Sequence, residues 1–162
     1  MRRSTISIAV IGALMCVWSV VGFAVATDAS GVTSTTIATG NLEDVSFVVK
    51  NGRWMTQLRT RGDTDVAVVE NRVAPGGSFG WHSHPGPSII IVKQGAITFY
   101  RADDPTCTPQ VYRQGDAFID QGTDVHIGVN DGTEELVVIV TRLLPNGAKA
   151  RDDAQDPQVC GI

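Results

Sequence analysis

An antiparallel β-sandwich or barrel is the fold class this sequence predicts, and three observations carry it. From Val45 onward, short β-branched and aromatic runs recur: VSFVVK, RWMTQLR, DVAVVENRV, SIIIVKQ, AITFYRA, QVYRQ, DAFID, VHIGVN and ELVVIVTRLL. Turn formers separate them, among them Asn51-Gly52, Gly62-Asp63, Pro75-Gly76-Gly77, Pro85-Gly86-Pro87, Gly95, Gly115-Asp116 and Asp131-Gly132. No stretch sustains a 3.6-residue apolar period with helix caps. About eight to ten short strands at this spacing describe an all-β domain.

Taken in order, residues 1–26 have the build of a signal peptide. Met1-Arg2-Arg3 is a positive start, Ile6 to Phe23 is almost wholly apolar, and Ala24-Val25-Ala26 is a small-residue cleavage site. The alternative is an uncleaved anchor, since the apolar run is long enough to span a bilayer. A lipoprotein cysteine at Cys16 is disfavoured by Met15 before it and by the apolar run beyond it. Either way the chain is expected to be exported, secreted or held in the cell envelope, with no membrane association after cleavage. Residues 27–44 are rich in Thr, Ser, Gly and Ala and read as a flexible N-terminal arm. Residues 45–144 carry the strand pattern, in which Asn51-Gly52 marks a hairpin. Residues 145–162 read as an irregular tail.

Without Arg2 and Arg3 the Lys+Arg count falls from 13 to 11 against 17 acids, a net charge of about −6. No basic cluster is present, which argues against a nucleic-acid partner. Beyond residue 26 two cysteines remain, Cys107 and Cys160. In an oxidising compartment an even pair is usually a disulfide; this one would close a loop worth about 4 kcal/mol in the chain-entropy model and staple the tail to the body. Free thiols or metal ligation are the alternatives.

The chemistry lies in the three histidines, His82, His84 and His126. On a strand, residues two apart face the same side, so His82 and His84 aim two imidazoles into one cavity. His126, at the start of another strand, can supply a third. Such a set suits a divalent transition ion, with Zn, Fe or Cu favoured and Ni or Mn also compatible. Three protein nitrogens leave a coordination position for water or substrate.

The segment Gly76 to Gly95 (GGSFGWHSHPGPSIIIVKQG) resembles the first sequence motif of the cupin superfamily, with Gly76, His82, His84 and Gly95 in register. Ser88 stands where that motif has its glutamate. Gly115, His126 and Asn130 fit the second motif, in which Gln121 replaces a proline and Thr123 a glycine, with Gly122 one step away. The wording WHSHPGP and DDPTCTP is similar to small secreted single-domain bacterial cupins. The resemblance implies a double-stranded β-helix, or jelly-roll barrel, with the metal inside on His82, His84 and His126. Mn-dependent oxalate-degrading cupins add a glutamate to three histidines; a site with three histidines alone resembles the iron thiol dioxygenases and several sugar- or dione-handling cupins.

Two residues are candidates for catalysis. Ser88 is too short to ligate in place of the glutamate but could hold a metal-bound water. Glu70, if it faces inward, could replace the missing carboxylate or act as a general base. Gln57, Tyr100 and Asn130 could also line the cavity. Pro85-Gly86-Pro87 and Asp116 read as turn residues. Trp81 should point away from the metal, to the outer core or an interface, and Ile89 to Val92 reads as a strand buried on both faces. With Trp54 and Trp81 taken as exterior residues, the surface is compatible with a homodimer. Because imidazole must be neutral to ligate, metal binding is expected to weaken below pH ~6.5.

These features define an exported metal-binding protein with a small-molecule ligand or substrate. A metal-dependent oxidoreductase, dioxygenase-like, or an isomerase is one reading. A non-catalytic protein that binds a metal or small ligand is the alternative, and a structural module with an empty pocket is a third.

Overall fold

The computed structural model describes residues 26–162, so all but the last residue of the expected signal peptide lies outside it. Twelve strands are formed among the described residues, and no helix. They are β1 (Ser30–Leu42), β2 (Ser46–Asn51), β3 (Trp54–Arg59), β4 (Thr64–Ser78), β5 (His82–Ser83), β6 (Ser88–Gln94), β7 (Ala96–Arg101), β8 (Gln110–Arg113), β9 (Ala117–Asp120), β10 (His126–Val129), β11 (Leu136–Pro145) and β12 (Asp152–Asp153). All pairings are antiparallel.

Ten strands form one sheet that curls into a nearly closed double-stranded β-helix. One wall runs β1–β4–β11–β6–β9, and the other joins β12, β5, β10, β7 and β8. The two walls meet where β4 ends, through Ser78 opposite Val129. Pro75-Gly76-Gly77, expected to be a turn between strands, is instead the bend by which β4 passes from one wall to the other. Gly76 takes φ +75° and its N–H donates to the Asn130 carbonyl at 2.8 Å.

Alternation along the strands sets the interior. Val69, Asn71 and Val73 of β4, Ser88, Ile90 and Val92 of β6, and Val138 and Val140 of β11 are buried. Val73, Ile90, Val92, Ile97, Leu136, Val138 and Val140 pack as one cluster. In β6 only one face is covered: Ile89 and Ile91 are 44% and 48% exposed, so the strand is not buried on both faces as expected.

Two further expectations are corrected. Residues 27–44 are not a loose arm, because β1 pairs along most of β4, from Val32–Val73 to Leu42–Thr64. In the tail the two-residue β12 lies against β5 through Asp153 opposite His82. Trp81 is fully buried rather than exterior, with its backbone N–H donating to Thr27 Oγ1 and its carbonyl accepting from Ala154 N. The Asn51-Gly52 hairpin is present as β2–β3, but it pairs apart from the barrel and is almost entirely exposed, Trp54 and Gln57 included. Cys107 and Cys160 are disulfide-bonded, Cα atoms 5.3 Å apart, and anchor the tail to the loop between β7 and β8.

Candidate metal centre

His82 and His84 project together from β5 and its following residue, and His126 opens β10 directly opposite His82. All three are at most 5% exposed, and one ring nitrogen of each lies within 4.8 Å of the others. Two-residue periodicity on one strand and cross-strand pairing with another bring them together.

Their tautomers follow from the other nitrogen. Nδ1 of His82 lies 2.8 Å from the Gly80 carbonyl, Nδ1 of His84 2.7 Å from the Ala150 carbonyl, and Nδ1 of His126 2.7 Å from the Asp124 carbonyl. A carbonyl only accepts, so each neutral ring carries its proton on Nδ1 and turns a bare Nε2 lone pair inward. Backbone carbonyls are the usual outer partners that orient metal-bound histidines. The tail supplies one of them, at Ala150.

Asp120, at the end of β9, borders the cluster on the side of His84 and His126. Its Oδ2 lies 3.5 Å from His84 Nε2 and 3.4 Å from His126 Nε2, while Oδ1 accepts the Gly122 N–H at 2.9 Å. Three inward lone pairs beside a buried carboxylate form a set of acceptors, which a cation fits and an apolar filling would not. These residues therefore suit a divalent transition ion.

Sequence reasoning missed Asp120. It faces Ser88 across the β6–β9 pair, so the carboxylate comes from the neighbouring strand instead of from the motif's glutamate position. The available signal was an acid closing the run AFID, two residues from the inward Phe118. Ser88 is buried at the cavity wall, its hydroxyl without a partner in the protein. Glu70 is not at the site: Asn71 faces inward, so its neighbour faces out and pairs with Lys93 at 2.7 Å and Arg72 at 2.9 Å. Asn130 is structural, donating to the Val73 and Glu134 carbonyls and accepting from Gly132 N. Asp116 is the expected turn residue, with its carboxylate on the Arg113 N–H. Tyr100 and Gln57 are not among the cavity-lining residues.

Gly122, with φ +100°, tucks the β9–β10 loop under the Pro85–Pro87 turn. A Cβ there would meet the Gly86 carbonyl carbon at 2.7 Å. The backbone can therefore pass close enough for His84 N to donate to the Gly122 carbonyl at 2.8 Å.

Burial sets the protonation of the histidines. It pushes His82 down to about 2, helped by the neighbouring His126, and His84 to about 4 against the opposing pull of the Ala150 carbonyl and Asp120. Burial lowers His126 as well, opposed by Asp120 and the Asp124 carbonyl. The free imidazoles are thus ready to ligate at neutral pH, and proton competition moves below the ~6.5 expected from an unperturbed ring.

A nearly closed double-stranded β-helix with a buried three-histidine cluster is the architecture of a metal-binding barrel protein. A family model described as a cupin domain matches residues 69–142, which include all three histidines and Asp120. Among solved structures, the chain is similar to a cupin superfamily protein from Desulfitobacterium hafniense, at 15% identity over 70% of this chain and 77% of that one, with TM-score 0.47. It is also similar to an uncharacterized double-stranded β-helix protein from Klebsiella pneumoniae, at 23% identity over 70% and 86%, TM-score 0.47. A third similarity is to a polyketide cyclase from Streptomyces resistomycificus, at 17% identity over 59% and 64%, TM-score 0.48. No curated protein matches the sequence. Residues 69–142, the stretch that holds the three histidines, thus carry a cupin domain.

Proposed function

We propose that this cupin is an exported metal-dependent enzyme that acts on a small molecule, as an oxidoreductase of dioxygenase type or as an isomerase. His82, His84, His126 and Asp120 would hold the ion, with Zn, Fe or Cu favoured by the nitrogen-rich donor set. The observation that supports this reading is the inward cluster of three Nε2 lone pairs and one carboxylate, opening on a cavity of about 50 Å³. A bound ion would supply Lewis acidity or, if redox-active, electron transfer.

The chain's own residues do the rest. The Gly80, Ala150 and Asp124 carbonyls fix the rings, and the Gly122 N–H fixes Asp120. Ile90, Ile97, Phe99 and Val138 make the cavity wall apolar, limiting water around the site. Ser88 offers a hydroxyl to a small ligand. Export through residues 1–26 is part of the proposal and agrees with the Cys107–Cys160 disulfide.

The test is reconstitution of the full chain with each candidate ion, followed by oxygen-uptake and isomerisation assays on a panel of small organic acids, diketones and sugars. Turnover with one ion, abolished in His126→Ala, is expected. Stoichiometric metal uptake without turnover on any of the panel would favour the binding-only alternative; absence of uptake would remove both.

A further inference from the structure

Among the described residues Arg142 is the one arginine or lysine lining the inner cavity, and no expectation from sequence attached to it. On β11 it follows Val138 and Val140 at two-residue intervals, all three lining the cavity. Its Nε is buried without a hydrogen-bond partner, and among the described residues Arg142 enters none of the ion pairs. The second buried orphan in the same cavity is Ser88 Oγ. The two residues are directly opposite each other in the β11–β6 pair, and Ser88 is in turn opposite Asp120 in β6–β9. A single row across three strands therefore reads Arg142, Ser88, Asp120, with neighbouring Cβ atoms about 4.5–5.5 Å apart.

Two unpartnered donors stand side by side, one of them charged, with the histidine cluster beyond. Leaving the Nε of a half-buried guanidinium and a buried hydroxyl unpaired is costly, so their placement calls for an acceptor that the protein itself does not provide. Asp120 does not serve, since Oδ1 is taken by Gly122 and Oδ2 faces the histidines. The other cation nearby, Arg151, is committed to Asp153 and the Phe79 carbonyl. Arg142 also borders the outer cavity of about 340 Å³, together with Asn71, Phe79 and His82, so it stands on the route inward. The inner space, about 50 Å³, admits only a few heavy atoms.

We infer that Arg142 and Ser88 form an anchoring subsite for a carboxylate, which would hold a small organic acid with its other end toward the histidine cluster. The inference rests on the metal-centre reading for its reacting end but not for the anion contact itself. Guanidinium matches carboxylate geometry and forms charge-assisted bonds that a neutral isostere does not.

The experiment is calorimetric titration of the zinc-loaded and the metal-free full chain with acetate, glycolate and malonate, each against its neutral amide. At least one acid is expected to bind about tenfold or more tightly than its amide in both forms, and Arg142→Met should erase that preference while zinc stoichiometry stays unchanged. Ser88→Ala should weaken the acid without affecting zinc. Thermal stability of metal-free Arg142→Met should equal or exceed that of the unaltered chain, because a half-buried charge without an ion-pair partner is removed. Acid and amide binding alike, no acid binding at all, or a marked loss of stability in Arg142→Met would overturn the inference. Failure of zinc uptake with the acid preference intact would instead strike only the metal-centre reading.

Discussion

Acid should destabilise the metal-free protein through its buried histidines. His82 and His84 are held neutral by burial, with pKa values of about 2 and about 4, whereas in the unfolded chain each returns to about 6.5. Between pH 7.5 and 5.5 the unfolded state therefore takes up protons that the folded state refuses, and stability falls as pH falls. Each group contributes about 1.4 kcal/mol to that loss at pH 5.5, about 3 kcal/mol for the pair. Burial acts on His126 in the same direction. Surface carboxylates titrate as well, so the comparison is with a double variant, His82→Gln/His84→Gln, which retains every other group. Urea unfolding with a chelator present, at pH 7.5 and 5.5, should show the unaltered chain losing about 3 kcal/mol more than the double variant. His82→Gln alone should remove about half of that difference. Equal losses would mean that the rings protonate freely in the folded state, and the account of their burial would be wrong.

Two further outcomes concern the supports of the site. Asp120→Asn keeps an oxygen for the Gly122 N–H but removes the charge, and should weaken zinc binding about a hundredfold in competition with a chelator; unchanged affinity would make Asp120 a bystander. Cys107→Ser/Cys160→Ser should lower stability by about 2–4 kcal/mol in denaturant unfolding. It should also weaken metal affinity about tenfold, because the tail it frees carries the carbonyl that orients His84. Loss of stability with full affinity would show that the tail holds its place without the bond.

The histidines were legible in the sequence because strand periodicity and motif spacing both depend on local chain geometry, which one sequence carries. Asp120 and Arg142 were not. They meet Ser88 through the registers of β9, β6 and β11, and pairing partners are not written in any one strand. Arg142 nonetheless left a mark: a cation inside the mostly apolar run VVIVTRLL. Glu70 was misplaced because VVENRV carries polar residues on both faces, with Asn71 buried at 2% exposure and Val68 on the outer side. β1 escaped notice since nearly all its residues are exposed, so no alternation distinguishes it from a loose segment. Conversely, SIIIVKQ is apolar on both faces although solvent reaches one of them. The bent course of β4 was hidden behind Pro75-Gly76-Gly77, which reads as a chain reversal and acts as a hinge between walls.

The most direct measurement of the central claim is X-ray absorption and metal analysis of the full chain loaded with one transition ion. The expected result is one equivalent of ion per chain, with a first coordination shell of three imidazole nitrogens and a carboxylate oxygen, lost in His82→Ala/His84→Ala/His126→Ala. An ion bound without imidazole scattering, or retained by the triple variant, would contradict it.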